Sequence, residues 1–151
     1  MIIKSLEQLN SISNKVADRL KENDYIYLIG EIGVGKTTFT RTLINYFQKK
    51  EGVEQTEVLS PTFNILYEYN IKKLKIMHYD LYRIKDKKEL EQLGVFQQDQ
   101  DSIKIIEWPE LVEINLADRL ELHLNYFDKE NERELSLIGH GKWKDINKNE
   151  L

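Results

Sequence analysis

Gly30-Glu31-Ile32-Gly33-Val34-Gly35-Lys36-Thr37 matches the pattern G-x-x-x-x-G-K-[ST], the spacing by which a backbone loop cradles phosphates. Glycines open conformations closed to other residues, so successive N–H groups can turn inward around a β-phosphate. A helix starting directly after the loop adds its positive end at the same place. In that arrangement Lys36 would reach the β- and γ-phosphates. Thr37 would coordinate Mg2+ through its hydroxyl, and Thr38 would bond the α-phosphate from the first helical turn. The bland alternative is a chance glycine turn at a helix start. With Gly at about 7% of residues, such a match arises in on the order of half a per cent of chains this long, so the pattern implies binding of a nucleoside triphosphate.

Hydrolysis or transfer needs more: an acid at the end of a neighbouring strand to hold the Mg2+ shell, and a group to orient the nucleophile. Glu107 follows the apolar run Ile103–Ile106, and Asp80 follows Leu74–Tyr79. Either carboxylate could equally be a solvated strand end. Asp80 sits among His78, Tyr82 and Arg83, where a salt bridge from Arg83 would look the same. Trp108 could stack on a ligand or seal the edge of the core. Ser60-Pro61-Thr62-Phe63 reads either as a switch loop whose Thr62 touches the γ-phosphate or metal, or as an ordinary turn leading into a strand.

These groups need elements to position them. Leu6, Leu9, Ile12, Val16 and Leu20 recur at helical spacing after a Ser5/Gln8 capping box, which predicts a helix ending near Asn23. Tyr25–Ile29 reads as a buried strand bounded by Gly30. Lys36–Lys49 carries Phe39, Leu43, Ile44 and Phe47 on one face, ends in Lys49 and Lys50, and is stopped by Gly52. Strand, glycine loop and helix thus come in the order the motif requires. Asn64–Tyr69 and Leu74–Tyr79 predict an antiparallel hairpin, and Asp86–Leu93 a short helix with Asp86 as its cap. Ile103–Ile106 is another strand. Leu120–Phe127 is expected to pair with Glu134–Ile138, and the polar tail after Gly141 to be loose.

The 151 residues, 40% hydrophobic and without a linker or repeat, are expected to form one domain over 1–151. The absence of cysteine excludes disulfides, thiolate zinc sites and thiol catalysis. No apolar run is long enough to span a bilayer and no charged-then-apolar leader is evident, so a cytoplasmic location is expected. A net charge of −4 with interspersed signs argues against direct gripping of nucleic acid. A GTPase would need D-x-x-G and N-K-x-D; the first is absent, and Asn147-Lys148-Asn149-Glu150 has Glu where Asp is needed. A small-molecule kinase would carry a long arginine-bearing lid, for which there is no insertion. An ATPase acting on a partner protein remains, with the kinase and a nucleotide-sensing module as alternatives.

GEIGVGKTT (Gly30 to Thr38), SPTF (Ser60 to Phe63), HYDLYR (His78 to Arg83), ELEQLG (Glu89 to Gly94) and IIEWPE (Ile105 to Glu110) come in the order and spacing of the TsaE (YjeE) family. The chain resembles that family over about residues 5 to 140. Its members are bacterial ATPases required for the threonylcarbamoyl modification of adenosine in tRNA (t6A). The resemblance implies an α/β fold of the phosphate-loop NTPase type, a three-layer sandwich on a mixed parallel and antiparallel sheet. It implies turnover of ATP to ADP with Mg2+, weak alone and stimulated by a TsaB-TsaD complex that handles the tRNA. By motif position, Thr37 and Glu107 resemble the family's metal ligands, Asp80 its required strand-end acid, and Trp108 the aromatic beside the metal residue. Lys36 resembles its phosphate-binding lysine. Glu31, Ile32, Gly33, Val34, Gly35, Lys36, Thr37 and Thr38 form the nucleotide loop. Ser5 and Arg133 lie where the family approaches the nucleotide from its first helix and last strand. Glu31 in place of Asp, Phe63 in place of Tyr, and Tyr79 in place of Phe keep the physical type.

Overall fold

A computed structural model describes residues 1–97, 101–111, 116, 118–128 and 131–146. Seven strands form one sheet in the order β1-β7-β6-β2-β5-β4-β3. The strands are β1 (Ile2–Ile3), β2 (Tyr25–Ile29), β3 (Leu66–Ile71), β4 (Leu74–Asp80), β5 (Ser102–Glu107), β6 (Arg119–Tyr126) and β7 (Arg133–His140). The four central strands β4, β5, β2 and β6 run parallel, while β3, β7 and β1 add antiparallel edges. This is the mixed α/β sheet expected from the sequence.

Burial explains the order. All six residues of β5 and the first four of β2 are buried, the two-sided burial of central parallel strands. In β6 only Leu120, Leu122 and Leu124 are fully buried, and the alternate residues face the opposite side.

Helices α1 (Leu6–Ala17) and α2 (Lys36–Lys50) pack together on one face, burying Leu9, Ile12, Val16, Phe39, Leu43 and Ile44 against Ile26, Leu28, Ile76, Ile103 and Ile105. On the other face, α3 (Lys87–Gln92) and its flanking loops bury Leu81, Ile84, Leu90 and Val95 against Tyr25, Tyr27, Met77, Tyr79 and Ile106. This third layer is short, and among the described residues the outward-facing Arg119, Glu121 and His123 of β6 are only partly buried. No helix among the described residues is long and apolar enough to cross a membrane.

Ser5 caps α1 by accepting from the Gln8 N–H at 3.2 Å, and Gln8 Oε1 accepts in return from the Lys4 N–H at 2.7 Å, one residue before the cap, a displaced form of the capping box. The helix ends at Ala17 rather than near Asn23. After Asp18 the chain closes short turns, Arg19 N–H to the Val16 carbonyl and Leu20 N–H to that of Ala17. Leu20 thus reaches the core without being helical, which explains why the periodicity overran the helix. The two-residue strand β1 was too short to leave a pattern. Nor is the start of the tail loose: Gly141–Trp143 forms a 3-10 turn, and Trp143 is buried in the main core. Residues 147–151, including the Asn147–Glu150 run, lie outside the described residues.

Candidate functional site

The parallel strands β2, β5 and β4 end at one edge, where the glycine loop, Glu107 and Asp80 come together. Register does this directly: Leu28 pairs with Glu107, and Asp80 pairs with Glu107 on the other side. In a strand, residues two apart share a face. His78 and Asp80 of β4, and Glu107 of β5, therefore face the α2 side with Ile76, Ile103 and Ile105.

The loop leaves β2 at Gly30, whose φ is +146°. A Cβ there would lie 2.2 Å from the Leu124 carbonyl oxygen, so only glycine fits. Gly35, at φ +120°, precedes α2 with no side-chain cap. The first intrahelical bond of α2 is Phe39 N–H to the Gly35 carbonyl at 2.9 Å. The N–H groups of Gly35, Lys36, Thr37 and Thr38 therefore lack intrahelical acceptors, the arrangement by which a helix start receives an anion.

Lys36 is 4% exposed. Its ammonium donates to the carbonyls of Gly30 at 2.6 Å and Glu31 at 2.9 Å, and lies 4.0 Å from the centre of the Trp108 ring. Burial pushes its pKa below the ordinary lysine value, and the nearby charges of Glu107, Asp80 and Glu110 pull it partly back. Trp108 takes φ +59°, an uncommon conformation for a bulky residue. It turns the chain at the end of β5 and places the indole between Lys36 and Tyr82, whose ring centre is 5.0 Å away.

Thr37 Oγ1 donates to Glu107 Oε1 at 2.9 Å, and His78 Nε2 is 2.8 Å from the same oxygen. Among the described residues both hydrogen bonds to this carboxylate fall on Oε1. Asp80 is fully engaged: Oδ2 accepts from Thr62 Oγ1 at 2.9 Å and Oδ1 from the Tyr82 N–H at 2.9 Å. Thr62 in turn shares a 2.8 Å hydrogen bond with Ser60. The Ser60–Phe63 turn is thus fastened to Asp80, with the Phe63 ring 82% exposed and the Arg83 guanidinium 5.6 Å from its centre.

Thr37 and Glu107 form an all-oxygen, hard donor set that suits Mg2+. No group of three or more His, Cys, Asp or Glu gathers as a cage among the described residues.

On the opposite side of the loop lies a cavity of about 470 Å³. Ile3, Leu6, Leu9 and Leu124 supply apolar walls; Gly33, Val34, Gly35 and Thr38 supply the loop side; Ser5, Asn131 and Arg133 supply polar groups. Ser5 and Arg133, far apart in sequence, are therefore brought to the loop. Arg133 Nε also donates to the Val34 carbonyl at 3.1 Å, with its guanidinium 4.5 Å from the centre of the Tyr126 ring. Glu31 and Ile32 have exposed side chains and do not line this cavity.

Two contacts escaped the sequence reading. The Tyr126 hydroxyl donates to the Ile32 carbonyl at 2.9 Å, fastening the loop to β6; nothing in a strand-end tyrosine signals it. His78 was noticed only as a neighbour of Asp80, although its two-residue spacing from Asp80 within a strand places both on one face.

Comparison with known proteins follows the same residues. The family pattern described as "Threonylcarbamoyl adenosine biosynthesis protein TsaE" matches residues 3–135. A protein of that name from Rickettsia felis is 37% identical over 139 residues, covering 91% of this chain and 78% of the relative. One from Bacillus subtilis is 33% identical over 138 residues, covering 89% and 82%. The crystal structure of Bacillus subtilis YdiB superimposes with a TM-score of 0.70 at 26% identity, covering 94% of this chain and 85% of that one. With the match spanning α1, the glycine loop, both strand-end acids and the start of β7, the chain belongs to the TsaE family.

Proposed function

We propose that this chain is a Mg2+-dependent ATPase that supports formation of N6-threonylcarbamoyladenosine in tRNA, acting in the cytoplasm on a TsaB-TsaD complex. One observation carries the reading: the hydroxyl that follows the loop lysine is hydrogen-bonded to the carboxylate that ends the adjacent parallel strand, Thr37 Oγ1 to Glu107 Oε1 at 2.9 Å. That pairing is what a phosphate loop and a strand-end metal acid require. The proteins named in the family comparison supply the pathway.

In this mechanism, the amides at the start of α2 and the Lys36 ammonium neutralise the β- and γ-phosphates as charge moves toward the leaving ADP. Thr37 and Glu107 would hold Mg2+, which would supply positive charge beside the phosphates. Asp80 orients the attacking water or, through Thr62, the Ser60–Phe63 turn. Ser5, Arg133 and the apolar walls of the adjoining cavity receive the nucleoside. The chain's net charge of −4 leaves contact with tRNA to the partners.

The test is Mg2+-ATP turnover by the purified chain, alone and with TsaB and TsaD. Slow turnover that rises with the partners is expected. Turnover unaffected by them overturns the accessory role, and transfer of the γ-phosphate to a metabolite acceptor would assign a kinase instead.

A further inference from the structure

His78 is wholly buried in the middle of the sheet, and the mechanism above gives it no task. Its Nε2 lies 2.8 Å from Glu107 Oε1 and its Nδ1 has no partner among the described residues. An ionised carboxylate oxygen only accepts, so the imidazole donates from Nε2. A side chain present only to fill this space would be better apolar, because burying an imidazole with one nitrogen unpartnered is unfavourable. The unfavourable half of the residue is retained together with the half that touches Glu107.

Resting on the reading of Glu107 as a metal ligand, we propose that His78 is a positioning residue. Through Nε2–H it fixes the rotation of the Glu107 carboxylate, and so sets the Mg2+ affinity of the nucleotide site. Two donors from opposite sides, Thr37 on α2 and His78 on β4, converge on Oε1. A carboxylate gripped at one oxygen from two elements cannot swing, and Oε2 is the oxygen left without a hydrogen bond among the described residues. Ligand carboxylates held in this way lose about 10–100-fold in metal affinity when the supporting partner is removed.

The test compares His78→Gln with His78→Asn. Glutamine carries an amide nitrogen to the place of Nε2; asparagine carries the same amide one carbon short. Affinity for a fluorescent ADP analogue is measured in Mg2+ and in EDTA. His78→Gln is expected to keep most of the gain in affinity that Mg2+ gives, and His78→Asn to lose about tenfold or more of it, both binding normally in EDTA. In the unaltered protein, nitrogen-15 NMR is expected to find the imidazole proton on Nε2 and to see its resonance shift when Mg2+ is added to the ADP complex. An intact Mg2+ gain in His78→Asn, or a wild-type proton on Nδ1, overturns the proposal. Glu107→Gln serves as the reference: if it too keeps the Mg2+ gain, the assignment of Glu107 has failed, which is a different result from a failure of His78 alone.

Discussion

The sheet holds two glutamates beside imidazoles, and their surroundings differ in kind. Glu107, at the end of β5, is 3% exposed and is approached by a hydroxyl and one buried imidazole on a single oxygen. Glu121, in mid-β6 on the opposite face of the sheet, has one guanidinium and two imidazoles around it: Arg119 Nε at 2.8 Å, His123 Nε2 at 3.1 Å and His140 Nε2 at 3.0 Å. The His140 contact has the distance of an ion pair without the geometry of a hydrogen bond. Burial raises the Glu121 pKa, but the hydrogen bonds from His123 and Arg119 outweigh it and hold the carboxyl below its ordinary value. The chain itself balances the charge of Glu121. For Glu107 the direct contacts supply orientation, and the Lys36 ammonium acts on it only through space. Proximity of Glu to His is therefore no sign of function; the sign is a carboxylate held rigidly with no lysine or arginine in contact among the described residues.

The largest effect expected from breaking the first region is on turnover. Lys36→Ala should lower ATP hydrolysis by about 10²–10³-fold, the usual loss when one preorganised charge-stabilising donor is removed. Full turnover in that variant would sink the phosphate-loop mechanism. Next in size is a matched pair. Glu107→Ala should lose about tenfold or more in the Mg2+-dependent gain in ADP affinity, and should fold with a stability lower by about 1–3 kcal/mol, since it strands the buried His78 donor. Glu121→Ala should leave turnover and Mg2+ dependence unchanged. Equal Mg2+ responses in the two variants would erase the distinction between the glutamates.

Tyr27 joins the regions, pairing with Ile106 of β5 on one side and Glu121 of β6 on the other. Its hydroxyl is buried without a hydrogen-bond partner among the described residues, and burial pushes its pKa up to about 12, opposed in part by Arg119. A raised pKa in the fold means stability fully present below the unfolded phenol's value of about 10 and lost as pH rises from there toward 12. Tyr27→Phe should remove up to roughly 2–3 kcal/mol of that alkaline loss. Urea unfolding between pH 9 and 12 would show it as a shallower slope, and an unchanged slope would refute it. Tyr79, also pushed up to about 12 by burial, supplies part of the remainder.

How much of this was legible in the residues follows from sequence distance. The strand, glycine loop and α2 were read to within a residue because φ demands, apolar spacing and charge at helix ends are local. Glu107 and Asp80 could be named as strand-end acids, yet their juxtaposition depends on the parallel register of β4 on β5, which no local pattern encodes. The grip of His78 on Glu107 spans 29 positions and that of Thr37 spans 70. Ser5 and Arg133 came from family resemblance alone, because the cavity they share is closed by the β1–β7 edge, and β1 is two residues long. Trp143 was misread because a polar neighbourhood hid one aromatic anchor. The arrangement of Glu121 was invisible for a further reason: alternation predicts that Arg119, Glu121 and His123 share a face, but not that they are left only partly buried.

The smallest effect belongs to that face. The Glu121 carboxyl, held below its ordinary value, contributes stability that is present above the unfolded glutamate's pKa of about 4.3 and is lost as pH falls through the lower folded value. Of its partners, His123 and His140 are 29% and 35% exposed and solvent screens them, while Arg119 is 13% exposed and is screened less. Glu121→Gln, which keeps an acceptor for Arg119 but not the charge, should lower stability near neutral pH by about 1–2 kcal/mol and flatten the decline that begins as pH falls below about 5, as read by urea midpoints. High salt should shrink the difference between variant and wild type, because exposed pairs are screened over about 10 Å at 0.1 M and 3 Å at 1 M. The Mg2+ dependence of nucleotide binding should be the same in both proteins at every pH. A variant that is indistinguishable from wild type in acid, or that alters the Mg2+ response, would show that the two glutamates are not independent, and the contrast between a carboxylate paired with arginine and one held by a hydroxyl and an imidazole would fall with it.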